Sequence, residues 1–202
     1  MKTATQQAIT KPRIALYGGA FDPVHRAHLE AARAARAQAS LEKVVFLPAA
    51  RSPLKAHAPV AGDAERLRML ELALAGEAGF AVDDAELRRG GVSYTVDTVR
   101  DFQEREPEAE LFWIIGGDQL AQLDQWHAIG DLARRVVFLV LARPGYALAA
   151  PAVPGLAWSH IDAPLMEESS TSIRERISRG ECLDDLLPKP VEAFIQANGL
   201  YT

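Results

Sequence analysis

Apolar positions along this chain fall into two alternating patterns. Five short runs, RIALYGG (13–19), KVVFLP (43–48), FAVDD (80–84), LFWIIGG (111–117) and RVVFLVLAR (135–143), are dense in apolar residues, as strands buried on both faces are. Longer Ala-, Leu- and Arg-rich stretches with helical spacing separate them. The alternation predicts an α/β fold, a Rossmann-like parallel sheet with helices on both faces, in a single domain. Ligands of such sheets gather beyond the carboxyl ends of the strands. The segments that follow the runs, GGAFDPVH, PAARSPLK, DDAELRRGG, GGDQL and ARPG, are therefore where chemistry is expected. Pro48–Gly62 and Arg143–Gly155, rich in Pro, Gly and Ala, are expected to be mobile loops. The first carries cations, as a lid over an anionic substrate would.

Composition narrows the picture without redirecting it. With 202 residues, 49% of them apolar, the chain suffices for one well-buried domain and is short for two. No run reaches the roughly twenty apolar residues of a membrane span, and MKTATQQAITK (1–11) lacks the apolar core of a signal peptide. These features predict a cytoplasmic, unprocessed protein with a flexible leader over 1–11 and one domain over 12–202. Cys182, the single cysteine, can form no internal disulfide and is expected to be a structural thiol. A formal net charge of −5 opposes nonspecific binding to nucleic acid or anionic membrane. Any anionic substrate must meet locally placed cations.

The densest chemistry lies in YGGAFDPVHRAHLE (17–30). Gly18 and Gly19 follow a strand directly, where missing side chains let a phosphate or sugar approach backbone amides. Asp22-Pro23 suits a turn into a helix, placing His25 and His28 at i and i+3 on one helical face. A histidine pair can ligate metal, yet no third ligand is placed by sequence. The favoured alternative is that two imidazoles donate hydrogen bonds to phosphate oxygens where charge builds in a transition state. His57, His127 and His160, standing singly, read as structural, and Trp113 and Trp158 read as packing residues.

GGAFDPVHRAH resembles the GG-T/S-FDP-x-H-x-G-H signature of bacterial nucleotidyltransferases, and the chain from Arg13 to Tyr201 resembles the nicotinate-nucleotide adenylyltransferases among them. Further matches are SYTVDT (93–98), WIIGGDQL followed by LDQWH (113–127), ARPG (142–145), SSTSIR (169–174) and the closing FIQANGLY. The resemblance implies attack by the phosphate of nicotinate mononucleotide on the α-phosphorus of ATP, giving deamido-NAD and pyrophosphate. It implies catalytic roles for His25, His28 and Arg174. ATP would be bound by Gly18, Gly19, Ala20, Phe21, Gly116, Asp118, Arg143, Ser170 and Thr171, with Asp118 on a ribose hydroxyl. Lys55, Tyr94, Thr95 and Trp126 would bind the mononucleotide, Trp126 as a platform under the pyridine ring and Tyr94 and Thr95 through backbone amides. No protein metal ligand is implied, and Mg2+ is expected to arrive on ATP oxygens and water.

Bland alternatives stand beside these roles: Asp118 as a helix N-cap, Trp126 as core, and Ser170 or Thr171 as the N-cap of an ordinary helix. Three positions depart from the family pattern. Ala20 replaces Thr or Ser, Ala27 replaces Gly, and Leu54 stands where a loop histidine is common. Competing readings are an adenylyltransferase preferring nicotinamide mononucleotide, one using phosphopantetheine, and a noncatalytic nucleotide-binding module of the same fold. Retention of His25, His28, Lys55 and Arg174 argues against the last.

Overall fold

The computed structural model describes residues 11–54, 57–141, 148–163, 169–183 and 185–202. Six strands form one sheet: β1 (Arg13–Gly19), β2 (Lys43–Pro48), β3 (Phe80–Val82), β4 (Glu110–Gly116), β5 (Val137–Leu141) and β6 (Trp158–Ile161), in the order β3-β2-β1-β4-β5-β6. Every pairing is parallel. The helices are α1 (Arg26–Gln38), α2 (Asp63–Leu74), α3 (Ala85–Arg89), α4 (Thr95–Arg105), α5 (Gly117–Leu120), α6 (Ile129–Leu132), α7 (Ser170–Ser178) and α8 (Lys189–Asn198), with a 3-10 turn at Leu123–Gln125.

Side-chain alternation along the strands builds two cores. Ala15, Val44, Phe46, Phe112, Ile114 and Leu139 meet α1, α2, α7 and α8 on one face. Their neighbours Ile14, Leu16, Val45, Leu111, Trp113 and Phe138 meet α4, α5 and α6 on the other. Burial on both faces is what makes the central strands continuous apolar runs. The five predicted strands are present, four within the residues proposed for them and β4 starting one residue earlier, at Glu110. The sixth, WSHI, is an edge strand with Trp158, Ser159 and His160 exposed. Trp158 is therefore an exposed edge residue, at 36%, and not the packing residue expected, whereas Trp113 is buried at 4%. Cys182 is likewise exposed.

Connectivity fixes where a ligand can enter. From β1 the chain steps outward through β2 to β3, then returns to place β4 on the other side of β1. The strand order reverses between β1 and β4, and a crevice opens beyond their carboxyl ends. Gly18–His28 line one side of this switch point and Gly116–Asp118 the other. Among the described residues no helix is long and apolar enough to cross a membrane.

Candidate active site

His25 and His28 do not share the body of a helix. His25 is the N-cap of α1, with extended backbone at φ −142 and ψ 172, and His28 lies one turn in. Their rings nonetheless approach to 3.8 Å between centroids, because the chain bends at the cap. The His25 N–H donates to His28 Nδ1 at 3.2 Å, a backbone donor satisfied at the helix end. With Nδ1 accepting, the hydrogen of the neutral His28 ring sits on Nε2. Edge contact with the buried Phe21 ring, 5.0 Å between centroids, sets the orientation of His28. His25 is 5% exposed, and burial pushes its pKa down to about 4. It is a neutral ring throughout the physiological range, able to donate without carrying charge.

Gly18 is required by packing as well as by any ligand. A Cβ there would lie 2.7 Å from Trp113 Cζ2, so the β4 tryptophan closes over the β1 glycine. Phe21 adopts φ 48, in the left-handed region, and buries its side chain at 2% exposure. Only its backbone and that of Ala20 can face a nucleotide.

Asp22 ties the turn to three distant segments. Its carboxylate, 4% exposed, accepts the N–H of Val60 at 2.7 Å, the N–H of Ala61 at 3.0 Å and the Tyr201 hydroxyl at 2.8 Å. Burial first, and then Asp22, raises the pKa of Tyr201 and keeps it a donor. The Asp22 carbonyl accepts Arg174 Nη1 at 2.7 Å, and Ser170 Oγ donates to the Pro23 carbonyl at 3.0 Å. The amino end of α7 is thus fastened beside that of α1. Two helix amino ends, each the positive end of a helix dipole, meet at one place. The N-cap of α7 is Ser169, whose Oγ accepts the Ser172 N–H at 3.1 Å, and neither Ser170 nor Thr171 caps it. Thr171 Oγ1 accepts Arg174 Nη2 at 3.2 Å, which steadies the guanidinium.

Arg66, absent from the sequence reading, lies beneath the turn at 0% exposure. It donates to the Ala20 carbonyl at 2.7 Å and also to Asp63. Its signal was available: Arg66, Met69, Leu70 and Ala73 fall on one helical stripe, and a cation on an apolar stripe needs a buried acceptor.

Across the crevice, Gly116 caps α5 and Asp118 stands exposed in its first turn. Asp118 is not the N-cap. Tyr94 caps α4 and Thr95 opens it, so helix-end amides do lie at SYT. Tyr94 and Trp126 both pack against the second core, with Trp126 edge-on to Phe138 at 6.3 Å. His127 stacks on Tyr94 at 4.4 Å, a packing contact in keeping with its reading as structural. The Pro48–Gly62 segment is anchored at both ends, through Ala49 N–H to the Gly19 carbonyl at 2.8 Å and through Val60 and Ala61 to Asp22. Leu54 is exposed. Lys55 and Arg143 lie outside the described residues.

Comparison with known proteins agrees with this layout. The cytidylyltransferase-like family pattern matches residues 16–176. An Opitutus terrae protein named "Probable nicotinate-nucleotide adenylyltransferase" is 42% identical over 190 residues, covering 94% of this chain and 97% of its own. A Bordetella pertussis protein of the same name is 41% identical over 201 residues, covering 94% and 98%. Among solved structures, "Plasmodium falciparum nicotinic acid mononucleotide adenylyltransferase complexed with NaAD" superposes with a TM-score of 0.74 over 94% of this chain and 97% of that one, at 17% identity, a likeness of fold. With a family pattern spanning most of the chain and relatives near two-fifths identity along almost its whole length, the chain belongs to the nicotinate-nucleotide adenylyltransferases of the cytidylyltransferase-like family.

Proposed function

We propose that the protein transfers the adenylyl group of ATP to nicotinate mononucleotide, giving deamido-NAD and pyrophosphate for NAD biosynthesis in the cytoplasm. The observation that carries this reading is the joining of the α1 and α7 amino ends at Asp22–Pro23. That junction groups two imidazoles, helix amides and Arg174 at the strand-order reversal. Such an array of donors suits a triphosphate. The mononucleotide phosphate, already an anion, attacks the α-phosphorus, and the bond to the β-phosphate breaks as pyrophosphate leaves. No general base is needed, so the protein contributes position and charge stabilisation. His28, with hydrogen on Nε2, and the neutral His25 donate toward the α/β oxygens, while Arg174 and the α7 amides hold the β- and γ-phosphates.

Among the described residues no three His, Cys, Asp or Glu side chains are grouped to hold a metal. Asp22 spends its carboxylate on Val60, Ala61 and Tyr201. This donor-rich set fits Mg2+ carried in on ATP oxygens and water, where it would offset the triphosphate charge. Amides at the start of α4 favour the acid mononucleotide. The carboxamide of nicotinamide mononucleotide sets a donor against donors, a mismatch of about 1–3 kcal/mol.

The test is pyrophosphate release from ATP and Mg2+ with each mononucleotide separately. Release with the acid at least roughly tenfold faster in kcat/KM supports the reading. Equal values discard the amide account of selectivity, and release with neither removes the function.

A further inference from the structure

We infer that Glu86 is a positioning residue for the mononucleotide half of the cleft, holding the start of the 49–61 loop and the amino end of α4 in fixed register. The inference rests on the adenylyl-transfer reading. Glu86 sits on α3 at 3% exposure. Thr98 Oγ1, itself 1% exposed, donates to Glu86 Oε1 at 2.6 Å. The Ser93 hydroxyl lies beside the same carboxylate and helps to hold its pKa down. Residues 93 and 98 bracket Tyr94 and Thr95, so the segment that presents the α4 amides is fastened to Glu86 at Thr98 and lies against it at Ser93.

The second wall is fastened through Ser93. Ser93 Oγ accepts the Ala50 N–H at 3.1 Å. The Ser93 N–H returns a bond to the Arg51 carbonyl at 2.9 Å. One residue earlier, Ala49 N–H reaches Gly19, so the clamp abuts the glycine turn without including it. Arg89 closes the network, donating through Nη2 to Thr98 Oγ1 and through Nη1 to Asp101 Oδ2, each at 2.8 Å.

A carboxylate is specified here because Thr98, which already accepts from Arg89, offers its hydrogen to Glu86 and needs an acceptor there. A Gln at 86 would bring an amide NH2 toward these hydroxyls, and accommodating it turns a hydroxyl away from its present role. Burial raises the pKa of Glu86, while the Thr98 bond, the neighbouring Ser93 hydroxyl and the Arg89 charge oppose that rise. The network thus offsets the desolvation of the carboxylate with three placed groups.

The test compares wild type, Glu86→Gln and Ser93→Ala, the last a smaller change that removes the Ala50 link and the hydroxyl beside Glu86. Steady-state KM is measured separately for nicotinate mononucleotide and for ATP, with amide hydrogen exchange at Ala50 and Ser93 in the substrate-free protein. Leu74→Ala, in the α2 core away from the clamp, serves as a destabilised control. In both clamp variants we expect KM for the mononucleotide to rise roughly tenfold, the scale of one or two unmade buried hydrogen bonds. ATP KM should stay within about twofold, and exchange at Ala50 should accelerate, whereas Leu74→Ala shows no such split. Parallel changes in both KM values, or none, in variants of an active wild type overturn the assignment. A wild type inactive with either mononucleotide defeats the functional reading and the assignment to that half with it. Faster Ala50 exchange in Ser93→Ala then locates the failure in the reading and not in the clamp.

Discussion

Acidification should expose how His25 is held. Burial lowers its pKa from the ordinary 6.5 to about 4 in the folded chain, while the unfolded chain keeps the ordinary value. Between those two values the unfolded state binds a proton that the folded state refuses, so stability rises with pH across that window. The contribution is complete above 6.5 and is lost as pH falls toward 4. At about 1.4 kcal/mol per pKa unit, moving from near pH 7 to near pH 5 costs about 2 kcal/mol through this one imidazole, with the full loss near ~3 kcal/mol below pH 4. Replacing His25 with Asn removes the titration and keeps a good N-cap for α1. Urea unfolding followed by tryptophan fluorescence at both pH values, on wild type and His25→Asn, measures the difference. Carboxylates, Glu86 with its raised pKa among them, are common to both proteins and cancel. The wild type should lose about 2 kcal/mol more than the variant. Equal losses would refute the claim that His25 is buried as a neutral ring, and with it the neutral-donor role.

Two further outcomes follow from local geometry. His28→Ala should reduce turnover about 10²–10³-fold, the usual effect of losing a placed transition-state donor, while circular dichroism stays unchanged; activity within a fewfold of wild type removes His28 from the mechanism. Gly18→Ala sets a methyl 2.7 Å from Trp113 Cζ2 and should destabilise the protein by about 1–3 kcal/mol, read as a lower thermal midpoint; an unchanged midpoint means that Trp113 does not close over β1.

How far the sequence could be read depends on how far apart interacting residues are along the chain. The four inner runs announce themselves because both faces are buried, and the edge strand FAV, half-buried at all three residues, is still apolar throughout, whereas WSHI, an edge strand with three exposed residues, carries no such run. The same distinction divides the site. Helix-end amides, imidazoles and the SSTSIR turn are local arrangements, and motif order alone located them. Only the cap details shifted, with His25 before the helix and Ser169 before Ser170, because a cap is chosen by where the backbone bends. The groups beneath were invisible for a different reason. Asp22 meets Ala61 across 39 residues and Tyr201 across 179, and Arg66 meets Ala20 across 46. Each is a charge taken out of water, which is costly unless backbone or hydroxyl partners replace the solvent. Those partners are Ala20 for Arg66, Val60, Ala61 and Tyr201 for Asp22, and likewise Thr98 for the buried Glu86, most of them in the segments that present donors to the crevice. Burial therefore makes these charges sensitive to the placement of exactly those segments in space, since a shift of a loop leaves a charge unpaired. The cleft keeps its donors preorganised through groups that never touch substrate, and damage to them should appear as lost affinity for one substrate before it appears as lost chemistry.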